Sequence, residues 1–401
     1  MATTQQAASV SGSGPSAAST AAVSQAFRGQ TQPTIKRPGN ILSAALSAAA
    51  TVTLPDTQLP PTTLLRCIYL ECSAVTTGNA ATVAFQPDAP LNLFSTVNFH
   101  DAQGTSIVGS FDSFTLSMAQ KWFGFTNNAD PSSSAVYTAT AGVGSGAGGS
   151  ITVVFRIPVE VVSRTGVGSQ INTDTQSPLV LSLTLNQSTL IYATAPSTLP
   201  TVNVVISYGG YWNQSGNPNS FATPTAVGSL NYVNWTNYTG LAGQQQFQLN
   251  NIGLGNSILN ILYINRAATG LARSDADFAN PLQIAYRGNV MGQWSQLLWK
   301  HLMSEAYGYG NPTPDVGIGN NVTGGTGTVP TGEPSLNQGV YNQWFNADFN
   351  YAPGNTLFYG MLNSAVGDSI ELTGNWPVAS TLYEVINFLA VSGPVAAIQG
   401  H

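Results

Sequence analysis

The sequence predicts an all-β protein in which one strand-rich unit, broken by a single short helix, is built twice. Three observations carry this. Short runs of β-branched and aromatic residues recur from residue 50 to the end, punctuated by Gly, Pro, Asn and Ser. With 41 Gly and 23 Pro in 401 residues, turns are frequent. Only two stretches carry strong helical spacing, and each sits at the same place in a similar series of strands.

Residues 1–45 read as a flexible arm rich in Ala, Ser, Thr, Gln and Gly. A short helix over 17–28 is weak there, because Ser and Thr disfavour it. The arm's only charges are Arg28, Lys36 and Arg37, and the first acid is Asp56. The first unit, 46–212, follows with TVTLP, LLRCIYLEC, ATVAF, LFSTVNFHD, SSAVYTATA, GSITVVFRIPVEVV, PLVLSLTL and TVNVVISYGGYW. Eight short strands with frequent turns suggest a sandwich or jelly roll. The interruption, SFDSFTLSMAQKWF, sets Phe111, Phe114, Met118 and Trp122 at helical spacing, with Ser110 as the expected N-cap.

Residues 213–246 read as a connection, ending at GLAGQQQ. Its Trp235 and Tyr238 either pin two units together or form a sugar-binding platform. The second unit, 247–401, restarts with FQLNNIGL, SILNILYINRAA and LQIAYRGN, and a helix follows over 293–303. A long loop at 311–335 precedes YNQWFNADFNY, TLFYGMLN, DSIELTG and TLYEVINFLAV. Aligning Val97–His100 with Ile284–Arg287 brings the two helices together after turns of different length. Apolar strands (LLRCIYLEC, SILNILYIN) precede both helices, and final strands (TVNVVISYGGYW, TLYEVINFLAV) close both units. On this alignment the second helix has an inner stripe of Trp294, Leu298 and Leu302. Trp299 and Lys300 lie off that stripe, free to contact a neighbouring subunit.

Only 7% of residues are charged, against roughly 25% in an ordinary soluble protein. The net charge of −6 comes without any block of like charge, so no nucleic-acid groove is expected. A surface so poor in charge suits coverage by other copies, since interface cores are depleted in charge. The chain starts without a secretory pattern, and no run reaches the ~18 apolar residues needed to span a bilayer.

Chemical motifs are weak. Cys67 and Cys72 would stand about 16 Å apart on opposite faces of one strand, so they read as small hydrophobes without a disulfide. GSGAGG (144–149) has the dinucleotide spacing but leads into a strand, where no helix N-terminus can hold a pyrophosphate. Asp275 and Asp277 lack the spacing of a calcium loop. His100, His301 and His401 have no nucleophile elbow beside them. The sequons at Asn186, Asn213, Asn234, Asn237 and Asn321 are the chance product of a chain rich in Asn, Ser and Thr. No catalytic residue, cofactor or metal is expected, and the protein is not read as an enzyme.

The stretch LNLFSTVNFHDAQGTSIVGSFDSFTLSMAQ (91–120), where an apolar strand ends in an acidic turn and leads into a helix, resembles tectivirus coat subunits. The tandem arrangement, the Gln- and Ala-rich arm and the long polar loops resemble the wider group of double jelly-roll major capsid proteins, which includes the adenovirus hexon. That likeness implies two tandem eight-stranded jelly rolls, each with an inserted helix. It further implies a homotrimer with a pseudo-hexameric outline, packed with neighbouring capsomers and minor capsid and vertex proteins into the icosahedral shell of a bacteriophage-like virion. Such a protein would be made in the host cytoplasm and would read no nucleic-acid sequence. Loop 311–335 would face outward, and the arm inward. In the tectivirus case the arm meets an internal membrane, where Arg28, Lys36 and Arg37 would each contribute on the order of 1 kcal/mol. The alternative is a viral spike or lectin-like β-sandwich that binds glycans, and behind it a polysaccharide hydrolase on a jelly-roll scaffold.

Overall fold

The computed structural model describes residues 31–37, 39, 41–60, 62–76, 82–122, 137–140, 148–160, 169–172, 178–213, 231–249, 256–268, 273–307, 338–345, 362–363 and 369–390. Arg28, the weak helix at 17–28, loop 311–335, His401 and the sequon at Asn321 lie outside them, as does most of GSGAGG.

The first unit contains β1 (Thr31–Lys36), β2 (Ile41–Ala45), β3 (Val52–Thr53), β4 (Thr57–Gln58), β5 (Thr62–Ala74), β6 (Ala84–Phe85), β7 (Phe94–His100) and β8 (Ser106–Phe111). Helix α1 (Ser113–Trp122) comes next, then β9 (Tyr137–Thr140), β10 (Ser150–Pro158), β11 (Gln170–Asn172), β12 (Val180–Leu185), the single turn α2 (Ser188–Ile191), β13 (Tyr192–Thr194) and β14 (Thr201–Asn213). The second contains β15 (Asn231–Gln248), β16 (Asn256–Ala267), a 3-10 turn (Asp275–Asp277), β17 (Leu282–Tyr286), β18 (Asn289–Trp294), helix α3 (Gln296–Tyr307), β19 (Val340–Trp344), β20 (Leu362–Asn363) and β21 (Ile370–Ala390).

One sheet of the first unit runs β1-β14-β5-β10-β9, with β2 also on β14 and β11 on β5. Thr31–Lys36 and Ile41–Ala45, expected as part of the flexible arm, therefore form strands. The outer edge of long β14 exposes a row of backbone groups, and β1 and β2 pair with it in turn. The facing sheet is β8-β7-β12, with β3 and β4 on β12. Alternation fills the space between the sheets: Ile68, Leu70, Cys72 and Ala74 point inward from β5, while Tyr69, Glu71 and Ser73 are partly exposed. They meet Val97, Phe99, Leu181 and Leu183, and Phe94 packs edge-on against Phe155 with centroids 5.7 Å apart. Both cysteines are buried and free.

The second unit repeats the plan. Strand β16 pairs with β21 and β19, as β5 pairs with β14 and β10. Hairpin β17–β18 then leads into α3, as β7–β8 leads into α1. A parallel bridge between Val108 and Val233 joins β8 to β15, so one sheet continues across both units. The region expected as an irregular connection is a strand from Asn231 onward, paired with β21 along its length. Tyr238 there packs at a tilt against Phe247, centroids 4.5 Å apart, and Phe247 against Trp376. DSIELTG and TLYEVINFLAV, read as two strands, belong to one continuous β21.

Candidate functional site

The structural signature of each unit is the corner where its hairpin turns into its helix. In the first, Asp101 Oδ1 accepts from the Gln103 and Thr105 amides, at 2.9 and 2.8 Å, and closes the turn. In the second the turn shrinks to Arg287–Gly288, both at positive φ, as a two-residue hairpin requires. Past the turns the corners match residue for residue. Gly109 and Gly292 each stand two positions before the strand-ending aromatic, Phe111 or Trp294. A β-carbon at either glycine would run into a neighbour, the Val97 carbonyl oxygen at Gly109 or the Trp294 ring at Gly292. An N-cap follows. Asp112 accepts from the Thr115 amide at 2.8 Å, and Ser295 from the Leu298 amide at 3.2 Å. The N-cap of α1 is thus Asp112, not the expected Ser110, because β8 continues to Phe111 and the helix starts two residues later than its spacing suggested.

These caps set Phe114 equivalent to Leu297 and Leu116 to Trp299. Leu116 is fully buried, and Trp299 faces its own barrel. Trp299 is 4% exposed, donates its indole N–H to the Asn342 carbonyl at 2.9 Å, and packs against Tyr263, Phe278 and Tyr341. Lys300 reaches back to donate to the Val340 carbonyl at 2.7 Å and to Asp275 Oδ1 at 3.1 Å. The expectation that Trp299 and Lys300 face a neighbour is corrected here. Trp294 ends strand β18 and is not part of the helix, so the stripe 294–298–302 loses its origin and the inner face turns to Trp299 and Met303. Leu297 and Leu298 are outside instead, 83% and 45% exposed.

Asp275, weighed above as a calcium ligand, has one oxygen occupied by donors: the Gly339 amide at 2.8 Å, the Tyr341 hydroxyl at 3.0 Å, and Lys300. Burial pushes the Lys300 ammonium down to about 8, and the Asp275 charge restores only part of the loss. Between that value and the ordinary 10.5 the unfolded chain holds more protons at this lysine. The group's contribution to stability therefore rises with pH across that window. The chain has three lysines (Lys36, Lys121, Lys300), so lysine-selective carbon labelling yields three signals. One should titrate near pH 8, and three midpoints above 10 would refute the assignment.

The two units meet across a buried ionic seam that the sequence reading missed. Asp88, fully buried in the first unit, accepts from Arg273 Nε at 3.0 Å and Nη2 at 2.7 Å, and from Arg266 Nη1. Both guanidiniums lie over the ring of Phe114 on α1, at 5.0 Å for Arg266 and 4.3 Å for Arg273. Burial alone would raise the Asp88 pKa, but the two arginines outweigh it and hold the carboxyl below the usual carboxylate range. A second cluster lies within the first unit, where Glu160 accepts from Arg66 Nε at 2.9 Å and from the Tyr211 hydroxyl, with Arg156 at 3.7 Å. Eleven cations less three lysines leaves eight arginines. Four of them (Arg66, Arg156, Arg266, Arg273) are buried in these clusters, so the outer surface is poorer in charge than the composition implies.

Among the remaining expected residues, Lys36 is exposed on β1, and Arg37 makes an exposed pair with Glu71 at 3.5 Å. Such a pair contributes little. His100 bridges the Asp101 carbonyl (2.7 Å) and Ser182 Oγ (3.1 Å). Among the described residues no helix is long and apolar enough to cross a membrane, and no three His, Cys, Asp or Glu side chains gather as metal ligands would.

Two units of one plan, each a sandwich with a helix at its hairpin corner, define a double jelly roll. Solved structures with this fold match the chain over nearly its whole length. The STIV MCP, of Sulfolobus turreted icosahedral virus, matches with a TM-score of 0.55 at 15% identity, covering 90% of this chain and 97% of that one. PBCV-1 Vp54, as fitted into a reconstruction of the virophage Sputnik, matches at 0.54 and 10% identity, covering 90% and 95%. The major capsid protein of bacteriophage PM2 matches at 0.50 and 7% identity, covering 90% and 98%. All are double jelly-roll major capsid proteins. No family model and no curated protein sequence matches the chain.

Proposed function

We propose that this protein is a structural, non-enzymatic virion component: the major capsid protein of an icosahedral virus, assembling as a homotrimer of pseudo-hexameric outline. The observation that carries the reading is the duplicated hairpin–helix corner within an end-to-end likeness to double jelly-roll capsid proteins. Two similar barrels per chain give three copies a six-sided outline, and a closed ring needs two different complementary faces on each copy. The charge-poor exterior supports extensive contact between copies.

In this reading the residues before Thr31 lead from the first barrel, which includes β1 and β2, toward the shell interior. The chain passes between Asn213 and Asn231 to the second barrel, which starts with β15 and whose loop 311–335 faces outward. Arg28, Lys36 and Arg37 would meet anionic lipid if a membrane lies beneath the shell. Neighbouring capsomers and minor capsid and vertex proteins are the partners, after synthesis in the host cytoplasm.

Light scattering on the purified chain, with negative-stain imaging of the same sample, tests the reading. The expected mass is three times 41.8 kDa, with hexagonal outlines. A monomer at every concentration would overturn it.

A further inference from the structure

We propose that Lys300 and Asp275 join in an amide bond, the lysine supplying the nucleophile and the aspartate the acyl carbon, so that the second barrel staples itself. Three elements hold the pair in place. Gly339, at a φ of 67°, aims its amide at Asp275 Oδ1 from 2.8 Å, and a side chain there would meet the Asn265 carbonyl. Tyr341 on β19 donates its hydroxyl to the same oxygen at 3.0 Å. Gln338 Oε1 accepts from the Asp275 amide at 3.2 Å and fixes the 3-10 turn. From α3, Lys300 Nζ stands 3.1 Å from Oδ1 and 4.2 Å from the centroid of the Tyr341 ring.

An ion pair needs only the cation. Here two uncharged donors also converge on one carboxylate oxygen, the arrangement that stabilises charge developing on oxygen during acyl transfer. Burial pushes the Tyr341 hydroxyl up from its ordinary range, and the Asp275 charge adds to this, so it stays a donor. The lysine is prepared as well. At about 8, it is uncharged in roughly a tenth of molecules at pH 7, against less than about a thousandth for an ordinary lysine. One N–H of the amine is held by the Val340 carbonyl at 2.7 Å, which leaves the lone pair for Asp275.

The step is balanced within the pair. A proton passes from the ammonium to Asp275 Oδ2. The nitrogen lone pair then forms the N–C bond at the carboxyl carbon, and the C–O π pair moves onto Oδ1 between its donors. Its return breaks the bond to Oδ2, which leaves as water with two of the three ammonium protons, and the third stays on the amide. Both side chains are partly exposed, 25% and 33%, so the water has a way out. The bond closes a ring around β17, β18 and the start of α3, and such a ring restricts the unfolded chain as a disulfide does.

Intact-mass measurement on the full chain, incubated at neutral pH, is the test. The expected result is a loss of one water per chain, with the proteolytic fragments holding Asp275 and Lys300 joined. The lysine signal that titrates near pH 8 should fade in step, because it belongs to the chain before the bond forms. The reactive form, amine with carboxylic acid, carries as many protons as the ion pair. The rate should therefore be level from neutral pH to about 8 and fall about tenfold per pH unit above it. Lys300→Met should keep its full mass, and Tyr341→Phe, which retains the ring, should react about a hundredfold more slowly. Thermal unfolding checks that each variant is folded, and the pH profile is read on wild type and needs no variant. Wild type that keeps its full mass, a rate that rises above pH 8, or water loss that persists in folded Lys300→Met would overturn the proposal.

Discussion

Replacing Asp88 with Ala should destabilise the chain by about 3–5 kcal/mol, the range found when one partner of a buried ion pair is removed. The carboxylate is fully buried and takes three hydrogen bonds from Arg266 and Arg273. Removing it leaves two buried guanidiniums over Phe114 with one fewer counter-charge. Because the group joins the two units, urea unfolding of Asp88→Ala should also separate into two transitions, one per barrel. Asp88→Asn should lose less, since the amide oxygen still accepts one hydrogen bond. Replacing all three members with Leu, Met and Met should cost less than Asp88→Ala, because no uncompensated charge remains inside. An Asp88→Ala variant within about 1 kcal/mol of wild type would show that the seam is not held this way.

Trp299→Ala should cost about 3–5 kcal/mol, the range for emptying a buried aromatic site. The ring sits 5.1–6.1 Å, centroid to centroid, from Tyr263, Phe278, Trp294 and Tyr341. Its N–H satisfies the Asn342 carbonyl. The loss appears in the unfolding of the second barrel, whatever the state of assembly. Trp299→Phe keeps part of the packing but leaves that carbonyl without the indole donor, so an intermediate loss is expected. If Trp299→Ala instead weakened trimers while the barrel unfolded normally, the inward orientation of this face would be wrong.

These two expectations mark the difference between what was legible along the chain and what was not. Each of the eight runs read as strands in the first unit contains a strand, because period-2 burial and β-branched residues are local signals. The repeat was legible too, since a strand, a turn and an amphipathic helix leave the same pattern wherever they occur. The helix faces were not. Moving the start of α3 from residue 293 to Gln296 turns its inner face from Leu298 to Trp299, at about 100° per residue. A lysine beside it reads as solvent-facing until Val340 and Asp275 are brought to its ammonium.

A β-rich chain of two like units, two helices each placed after a hairpin, and a surface short of charge were all written along the chain. Local propensity and periodicity suffice for each of these. Folding in three dimensions set the pairing of β14 with Thr31–Lys36 and Ile41–Ala45, and the unbroken run of β21. It alone brought Asp88 to arginines 178 and 185 residues away. Nothing in the residues flanking a lone aspartate states which cations will surround it, because ion pairing depends on distance in space and the chain specifies that only once it has folded.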